Sequence, residues 1–207
     1  MRMETAELSA RYDRAAPAWG DKMRVLGYHD AYLGFLASRS ERSGTGTRVL
    51  DVGCGTGAFA DAWAAMHGPD QSVTLLDPSA QMLNRARAAL AARGMEAATQ
   101  ESLLEDFMAP EGFDVVLAAH VIEHVTSPVA TLRDMRSKCT PGGQLWLVVS
   151  KPHWCNAIIW MQWRHRSYAP EKVRSYLEDS GWDLREEYSF PSGPPSRTSR
   201  GYFARAV

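Results

Sequence analysis

The feature that most constrains the fold of this 207-residue chain is a regular alternation of short apolar runs with longer amphipathic segments. The runs have strand length: RVLDVG (48–53), VTLLD (73–77), FDVVLAAH (113–120) and QLWLVVS (144–150). Between them lie segments with helical patterns that stop at glycine, as helices commonly do. Strands separated by helices of this length form right-handed βαβ units. The sequence therefore predicts an α/β doubly wound fold with a mostly parallel sheet.

Further elements are predicted on both sides of this region. EAATQES (96–102) is a weak strand, and DLREEYSF (183–190) and RGYFARAV (200–207) are two closing strands. Residues 5–39 are helical with interruptions, and a polar, glycine-bearing linker follows. One domain is expected over residues 1–207. Its expected parts are an N-terminal helical cap (1–45), a ligand-binding core (46–150), an insertion on the substrate side (151–170), and a C-terminal helix with strands (171–207).

Composition excludes several function classes. Hydrophobic residues make up 45% and charged residues 23% of the chain, which is typical of a soluble globular protein. A net charge of −1 gives no overall attraction to nucleic acid or to an anionic membrane, so nucleic acid is not an expected partner and any basic site must be local. The three cysteines, Cys54, Cys139 and Cys155, suit neither a disulfide framework nor a CxxC metal site. With no signal peptide and no apolar run of about 18 residues, a cytoplasmic monomer or homodimer is the expectation.

The exit of the first predicted strand, DVGCGTGAFA, is the place to look for a ligand, because doubly wound sheets bind ligands at the carboxyl ends of their strands. Gly53, Gly55 and Gly57 allow a tight turn and a close approach of the backbone to the ligand. Asp77 ends the next strand, 20 positions after Gly57, where it can accept hydrogen bonds from ribose hydroxyls. The combination indicates a nucleoside site.

Two kinds of nucleoside ligand fit a glycine loop followed by an acidic residue. Gly53, Gly55 and Ala58 satisfy the GxGxxA pattern of dinucleotide sites. Asp51 argues against a dinucleotide, because a carboxylate inside the turn repels a pyrophosphate and suits an ammonium group. An amino-acid part joined to a ribose is characteristic of S-adenosylmethionine.

Four segments carry a resemblance to a known family: VLDVGCGTGAF, LLDPSAQML, FDVVLAAHVIEHV and PGGQLWLV. In this order they resemble the motifs of class I S-adenosylmethionine-dependent methyltransferases, in the small-molecule group that includes the ubiquinone and menaquinone biosynthesis enzymes. The resemblance covers about residues 48–150. It implies a three-layer Rossmann-like fold, with a seven-stranded sheet whose last strand is antiparallel. It also implies a methyltransferase that converts S-adenosylmethionine to S-adenosylhomocysteine without a metal, but it leaves the acceptor open.

The same resemblance implies roles for individual residues. Asp51 and Gly53 would hold the methionine part, Asp77 the ribose and Pro78 the adenine. Tyr12 and Trp19 match aromatic positions that close over the methionine end, although they could equally anchor a helix to the body. The implied cofactor-binding residues are Asp51, Gly53, Cys54, Gly55, Gly57, Asp77, Pro78, Ser102, Leu103, His120, Tyr12 and Trp19.

His120 falls at the end of the fourth strand, beside the reacting methyl group in the family. A histidine there could act as a general base, or it could only hydrogen-bond a backbone or cofactor group. His153, at the exit of the fifth strand, is a second candidate base. Glu123, in HVIEHV, is interpreted as a helix-start or network carboxylate, and His124 as a structural histidine. The next helix is predicted over SPVATLRDMRSKC (127–139).

The segment KPHWCNAIIWMQWRHRSY (151–168) follows the fifth predicted strand and is rich in tryptophan and basic residues. It could form the wall of an acceptor pocket, the core of a small subdomain, or a weak contact with a membrane surface. As a pocket wall, it predicts a small, partly apolar acceptor, aromatic or lipid-like, with room for an anionic group. The predicted substrate contacts are Tyr28, Trp154, Trp160, Arg164 and Arg166. Alternative functions are methylation of a protein or RNA, and regulation by a non-catalytic S-adenosylmethionine-binding protein.

Overall fold

The computed structural model describes residues 19–39, 44–109, 111–153 and 166–207. In these parts of the chain seven strands form one sheet, in the order β3-β2-β1-β4-β5-β7-β6. The strands are β1 (Arg48–Val52), β2 (Ser72–Asp77), β3 (Ala97–Glu101), β4 (Phe113–Ala119), β5 (Cys139–Ser150), β6 (Trp182–Tyr188) and β7 (Ser199–Ala206). Neighbouring strands from β3 to β5 are parallel, and β7 runs antiparallel to both β5 and β6. The predicted mostly parallel sheet with an antiparallel last strand is confirmed.

Helices cover both faces of the sheet. They are α1 (Tyr28–Ala37), α2 (Ala58–His67), α3 (Ala80–Ala91), α4 (Pro128–Ser137), α5 (Pro170–Glu178) and α6 (Gly193–Thr198), with a 3-10 turn at Leu104–Asp106 and helical residues at 19–25. Two of the predicted helix starts are capped as expected: the Ser79 hydroxyl accepts a hydrogen bond from the Met82 N–H, and the Ser127 hydroxyl accepts one from the Ala130 N–H.

Two separate hydrophobic cores lie against the two faces of the sheet. Phe35 of α1 and Phe59 of α2 belong to one core, and Leu132 of α4 and Val173 of α5 belong to the other. Successive β1 residues divide between the cores, as the alternation of side chains along a strand requires. The central strands are buried on both faces, which explains their continuous apolar sequence. The result is a three-layer α/β/α arrangement.

The helix predicted over SPVATLRDMRSKC begins where expected: residues 122–126 form turns and bends, and α4 begins at Pro128, where Ser127 supplies the cap. Two other elements differ from the predictions. Helix α6, in a segment with three prolines and a glycine, was not predicted. Strand β5 begins at Cys139 rather than at Gln144, with a break in its pairing to β4. The chain folds back closely there, since a Cβ at Gly143 would lie 2.5 Å from the Cys139 sulfur.

Candidate active site

A cavity of about 930 Å³ opens at the carboxyl ends of β1, β2 and β4, where the predicted chemistry was placed. Its volume lies at the upper end of the range for small-molecule pockets, so it has room for more than one small ligand. Most of the residues predicted to bind the cofactor line it. Those that do are Trp19, Asp51, Gly53, Cys54, Gly55, Asp77, Pro78, Ser102, Leu103 and His120.

Asp77 connects two neighbouring strand exits. One carboxylate oxygen, Oδ2, accepts a hydrogen bond from the Gly55 N–H at 2.9 Å, and Oδ1 accepts one from the Ser79 N–H at 2.9 Å. Asp77 therefore holds the glycine loop in place, and it also lines the cavity.

Asp51 is a buried carboxyl group that lines the cavity, with 1% of its surface exposed. Its Oδ2 accepts a hydrogen bond from the Ala60 N–H, in the first turn of α2, at 3.2 Å. Burial, and to a smaller extent the nearby Asp77 carboxylate, raise the pKa of Asp51 to about 8, although the bond from Ala60 opposes the rise. Burial disfavours the ionised form of Asp51, and a bound cation would stabilise that form. The site is therefore electrostatically suited to an ammonium group.

The three loop glycines have different roles, although all have positive φ angles. A Cβ at Gly55 would meet no atom within 4 Å, so this backbone faces open space. A Cβ at Gly53 would lie 2.9 Å from Val121 Cγ2. A Cβ at Gly57 would lie 2.8 Å from the Ala86 Cβ on α3, and Gly57 does not line the cavity. Gly57 thus permits close packing between the loop and α3, whereas Gly55 borders the ligand space.

His120 stands at the end of β4 in a left-handed conformation, with φ of 58°, the single case of positive φ outside glycine among the described residues. Its N–H donates to the Val148 carbonyl at 2.9 Å. Its ring atom Nδ1 lies 3.1 Å from Glu123 Oε1 and 3.0 Å from Ser150 Oγ. A non-glycine residue in this conformation is strained, and such strain persists where surrounding contacts impose it.

Tyr28 and Tyr32 lie one helical turn apart on α1, but only Tyr32 lines the cavity. Tyr28 is buried behind His120: its ring meets the imidazole edge-on at 5.5 Å, and its hydroxyl lies 3.1 Å from Thr198 Oγ1. Tyr32 stacks on Phe59 at 4.7 Å, and burial, with smaller effects of Tyr28, Asp51 and Glu123, raises its pKa well above the ordinary value. Helical spacing places both tyrosines on one face but cannot tell which of them reaches the cavity.

His124 also lines the cavity, although the sequence suggested a structural role. It lies in the turn that precedes α4, and its N–H donates to the Val121 carbonyl at 3.1 Å. Burial is the main reason that its pKa is lowered, which favours a neutral ring. By contrast, the interpretation of Glu123 as a network carboxylate is confirmed, because its Oε1 accepts a hydrogen bond from the Ser150 N–H at 2.7 Å.

The remaining predicted residues lie away from the cavity or outside the described residues. His153 is half-buried and does not line the cavity, and Arg166 is exposed near Tyr168. Cys54 is buried within the loop, and burial raises its pKa, as expected for an unreactive small residue. Tyr12, Trp154, Trp160 and Arg164 lie outside the described residues.

Two negative findings concern metal-binding clusters and membrane-spanning helices in the described parts of the chain. There, no cluster of three or more His, Cys, Asp or Glu side chains is arranged to hold a metal ion. None of the helices in those same parts combines the length and apolar character that crossing a bilayer would require.

Comparisons with known proteins agree with this geometry. A methyltransferase domain family matches residues 50–145. A ubiquinone biosynthesis O-methyltransferase from Xanthomonas euvesicatoria pv. vesicatoria is 30% identical over 146 residues, which are 70% of this chain and 59% of that protein. The protein of the same name from Maricaulis maris is 27% identical over 205 residues, 84% of this chain and 79% of its own length. The chain thus spans less than two thirds of the Xanthomonas relative.

A solved structure shows the same fold. Magnesium protoporphyrin IX methyltransferase from Synechocystis PCC 6803, determined with bound S-adenosylhomocysteine, superposes with a TM-score of 0.68. The match covers 100% of this chain and 89% of that protein at 16% sequence identity. Together with the glycine loop and the two carboxylates at the ends of β1 and β2, these matches show that residues 50–145 form a methyltransferase domain, with the fold of the class I S-adenosylmethionine-dependent methyltransferases.

Proposed function

We propose that the protein transfers a methyl group from S-adenosylmethionine to a small, partly apolar acceptor. The observation that carries the proposal is the single cavity that joins the Asp51–Asp77 loop region to His120 at the end of β4. One end of this cavity suits the cofactor, and the other presents a titratable side chain beside apolar walls.

The cofactor end fits S-adenosylmethionine residue by residue. Asp51 would pair with the ammonium group, because its carboxyl is buried, lines the cavity and has a raised pKa. Asp77 would accept hydrogen bonds from the ribose hydroxyls. Pro78 and Leu103 would enclose the adenine, and both line the cavity. Gly55 leaves the space that a ligand in contact with the backbone needs.

Catalysis by this chain would rest mainly on positioning. S-adenosylmethionine supplies a methyl group that is already activated on a sulfonium. The cavity walls would align the acceptor with that group and exclude water, and such alignment can contribute roughly 7–11 kcal/mol. A base is needed only where the acceptor atom carries a proton that it must lose, and His120 is the side chain placed for that role.

The acceptor end has mixed character. Met23, Tyr32, Val121 and Val125 provide apolar surface, and His120 and His124 provide polar contacts. This lining favours an aromatic or lipid-like acceptor. The names of the relatives, which act in ubiquinone biosynthesis, favour the same class. An anionic group on the acceptor would need Arg164 or Arg166, and this part of the proposal rests on the sequence alone.

Calorimetry with S-adenosylhomocysteine and with NAD tests the cofactor. We expect binding of the adenosyl ligand and none of NAD, since the buried carboxyl at Asp51 repels a pyrophosphate. Tight NAD binding with no response to the adenosyl ligand would reject the proposal.

Turnover can then be measured with radiolabelled S-adenosylmethionine and a panel of phenols, hydroquinones and prenylated phenols. We expect methylation of at least one panel member, and loss of that activity in His120→Ala with cofactor binding retained. Tight cofactor binding without turnover on these acceptors, or on protein and RNA panels, would instead indicate a non-catalytic regulator.

A further inference from the structure

Glu123 is a buried acidic side chain next to the candidate base. It lies in the turn between β4 and α4, and its side chain has no exposed surface. Its Oε1 both accepts the hydrogen bond from the Ser150 N–H at 2.7 Å and lies 3.1 Å from His120 Nδ1. The backbone of β5 therefore holds this oxygen in place against one particular atom of the imidazole ring.

This arrangement selects one form of the neutral histidine. An ionised carboxylate only accepts hydrogen bonds, so it attracts an N–H at Nδ1 and repels a lone pair there. Ser150 Oγ, at 3.0 Å from Nδ1, can accept from the same N–H. If Nδ1 instead accepted a bond from the Ser150 hydroxyl, its lone pair would face Glu123 Oε1 at 3.1 Å. With Glu123 ionised, the neutral ring carries its proton on Nδ1 and its lone pair on Nε2.

Other contacts keep the ring in this orientation. The Tyr28 ring packs edge-on against the imidazole, and the His120 N–H is bonded to Val148. These contacts, together with Glu123, explain how the strained φ of 58° is maintained. Besides Tyr28, the titratable groups near this pair in the described parts of the chain include Tyr32, His124 and Tyr168, whose pKa values the charge of Glu123 affects.

We propose that Glu123 is a positioning residue that holds His120 in the Nδ1–H form, so that Nε2 takes the proton from the methyl acceptor. This inference rests on the proposed function. As the bond from the acceptor oxygen to the methyl carbon forms, the carbon–sulfur bond breaks and its electron pair stays on sulfur. The acceptor proton moves to Nε2, Glu123 stabilises the resulting imidazolium, and the proton is then released to solvent.

The direct test is ¹⁵N NMR of histidine side chains in the complex with S-adenosylhomocysteine, with His120→Ala used to assign the signal. We expect Nδ1 to show the shift of a protonated ring nitrogen and Nε2 that of a nitrogen with a lone pair. The opposite assignment in the wild-type protein would overturn the proposal, and this measurement needs neither an acceptor nor a folded Glu123 variant.

Glu123→Gln provides a second readout, because glutamine keeps an oxygen for the Ser150 N–H but removes the charge. Without the charge, the preference for a proton on Nδ1 should weaken, so the ¹⁵N shifts of the two ring nitrogens of His120 should become more alike. Glu111→Gln is the matched control, because Glu111 is exposed and pairs with Arg48.

Unchanged ¹⁵N shifts of the His120 ring in Glu123→Gln would also reject the positioning role. Calorimetry with S-adenosylhomocysteine distinguishes a failure of the Glu123 role from a failure of the proposed function. A wild-type protein that binds the ligand but has the wrong ring form rejects only the role of Glu123. A wild-type protein that does not bind it rejects the proposed function.

Discussion

The two ends of the cavity are assembled in different ways. The cofactor end comes largely from one stretch of chain, residues 51–78, and much of its chemistry is backbone: the N–H groups of Gly55 and Ser79 bind the Asp77 carboxylate. The reactive end combines α1, the turn after β4 and the end of β5, and its chemistry lies in side chains. A site of the first kind can be identified from a short motif, whereas a site of the second kind depends on how distant segments pack.

The largest expected effect is a loss of stability that distinguishes Gly57, which packs against α3, from Gly55, which borders the cavity. Gly57→Ala should destabilise the protein by about 2–4 kcal/mol, because the new Cβ meets Ala86 and φ is positive. Gly55→Ala is the matched variant: it carries similar backbone strain but meets no atom, so its cost in stability should be about 1 kcal/mol. Urea unfolding measures both.

Binding should show the reverse order for these two variants. We expect Gly55→Ala to lose more affinity for S-adenosylhomocysteine than Gly57→Ala does under conditions where both are folded, because Gly55 borders the cavity. Equal losses of stability in the two variants would mean that contact with α3 is not what requires glycine at position 57.

The next largest effect is a loss of affinity for S-adenosylhomocysteine when Asp77, whose carboxylate connects the exits of β1 and β2, is changed. Asp77→Asn should weaken S-adenosylhomocysteine binding roughly 30- to 100-fold, about 2–3 kcal/mol, because an amide has one acceptor oxygen for two backbone donors and no charge. Asp106→Asn, on the exposed 3-10 turn, is the matched control and should bind normally. Calorimetry gives both constants, and normal binding by Asp77→Asn would contradict the assignment of the ribose site.

A pH effect should distinguish Asp51 from ordinary surface carboxylates. Its pKa is about 8 in the folded protein and about 4 in an unfolded chain. Between about pH 4 and 8, the folded protein keeps a proton on Asp51 that the unfolded chain loses. The free energy of unfolding of the ligand-free protein should therefore fall as pH rises from about 4 to 8. Asp51→Asn should remove this contribution, which urea unfolding across that pH range would reveal.

Ligand binding should reverse the protonation of Asp51. At pH 7 the carboxyl must ionise to pair with the ammonium group, so binding should release up to about one proton per site. Calorimetry in buffers of different ionisation enthalpy measures this release, which should be close to zero in Asp51→Asn. Equal proton release by the wild-type protein and the variant would remove Asp51 from the ammonium site.

The smallest effect lies at the reactive end and concerns backbone strain. His120→Gly should be more stable than His120→Ala by about 1 kcal/mol, because glycine adopts a φ of 58° without the cost that alanine incurs. Both variants lose the same imidazole contacts, so urea unfolding of the pair isolates the strain. An alanine variant as stable as the glycine variant would show that the turn relaxes once the ring is absent.

Particular residues show what could be predicted and what could not. Asp51, Gly55 and Asp77 could be expected at one cavity because strand exits and left-handed turns demand those residue types at short, regular spacing. The start of α4 could be predicted because Ser127 and Pro128 form a typical helix N-terminus. Tyr28 was assigned to the substrate, but its hydroxyl lies near Thr198, 170 residues away, and its ring supports His120.

The sequence by itself determined the α/β fold, the sheet with its antiparallel last strand, and the loop that suits the cofactor. Those features follow from periodicity, glycine positions and charges that act over short stretches of chain. Only the tertiary structure decided which tyrosine of α1 reaches the cavity, which close contact requires Gly57, and how Glu123 and Ser150 orient His120. These depend on side chains brought together by strand order, and local sequence patterns do not encode their distances.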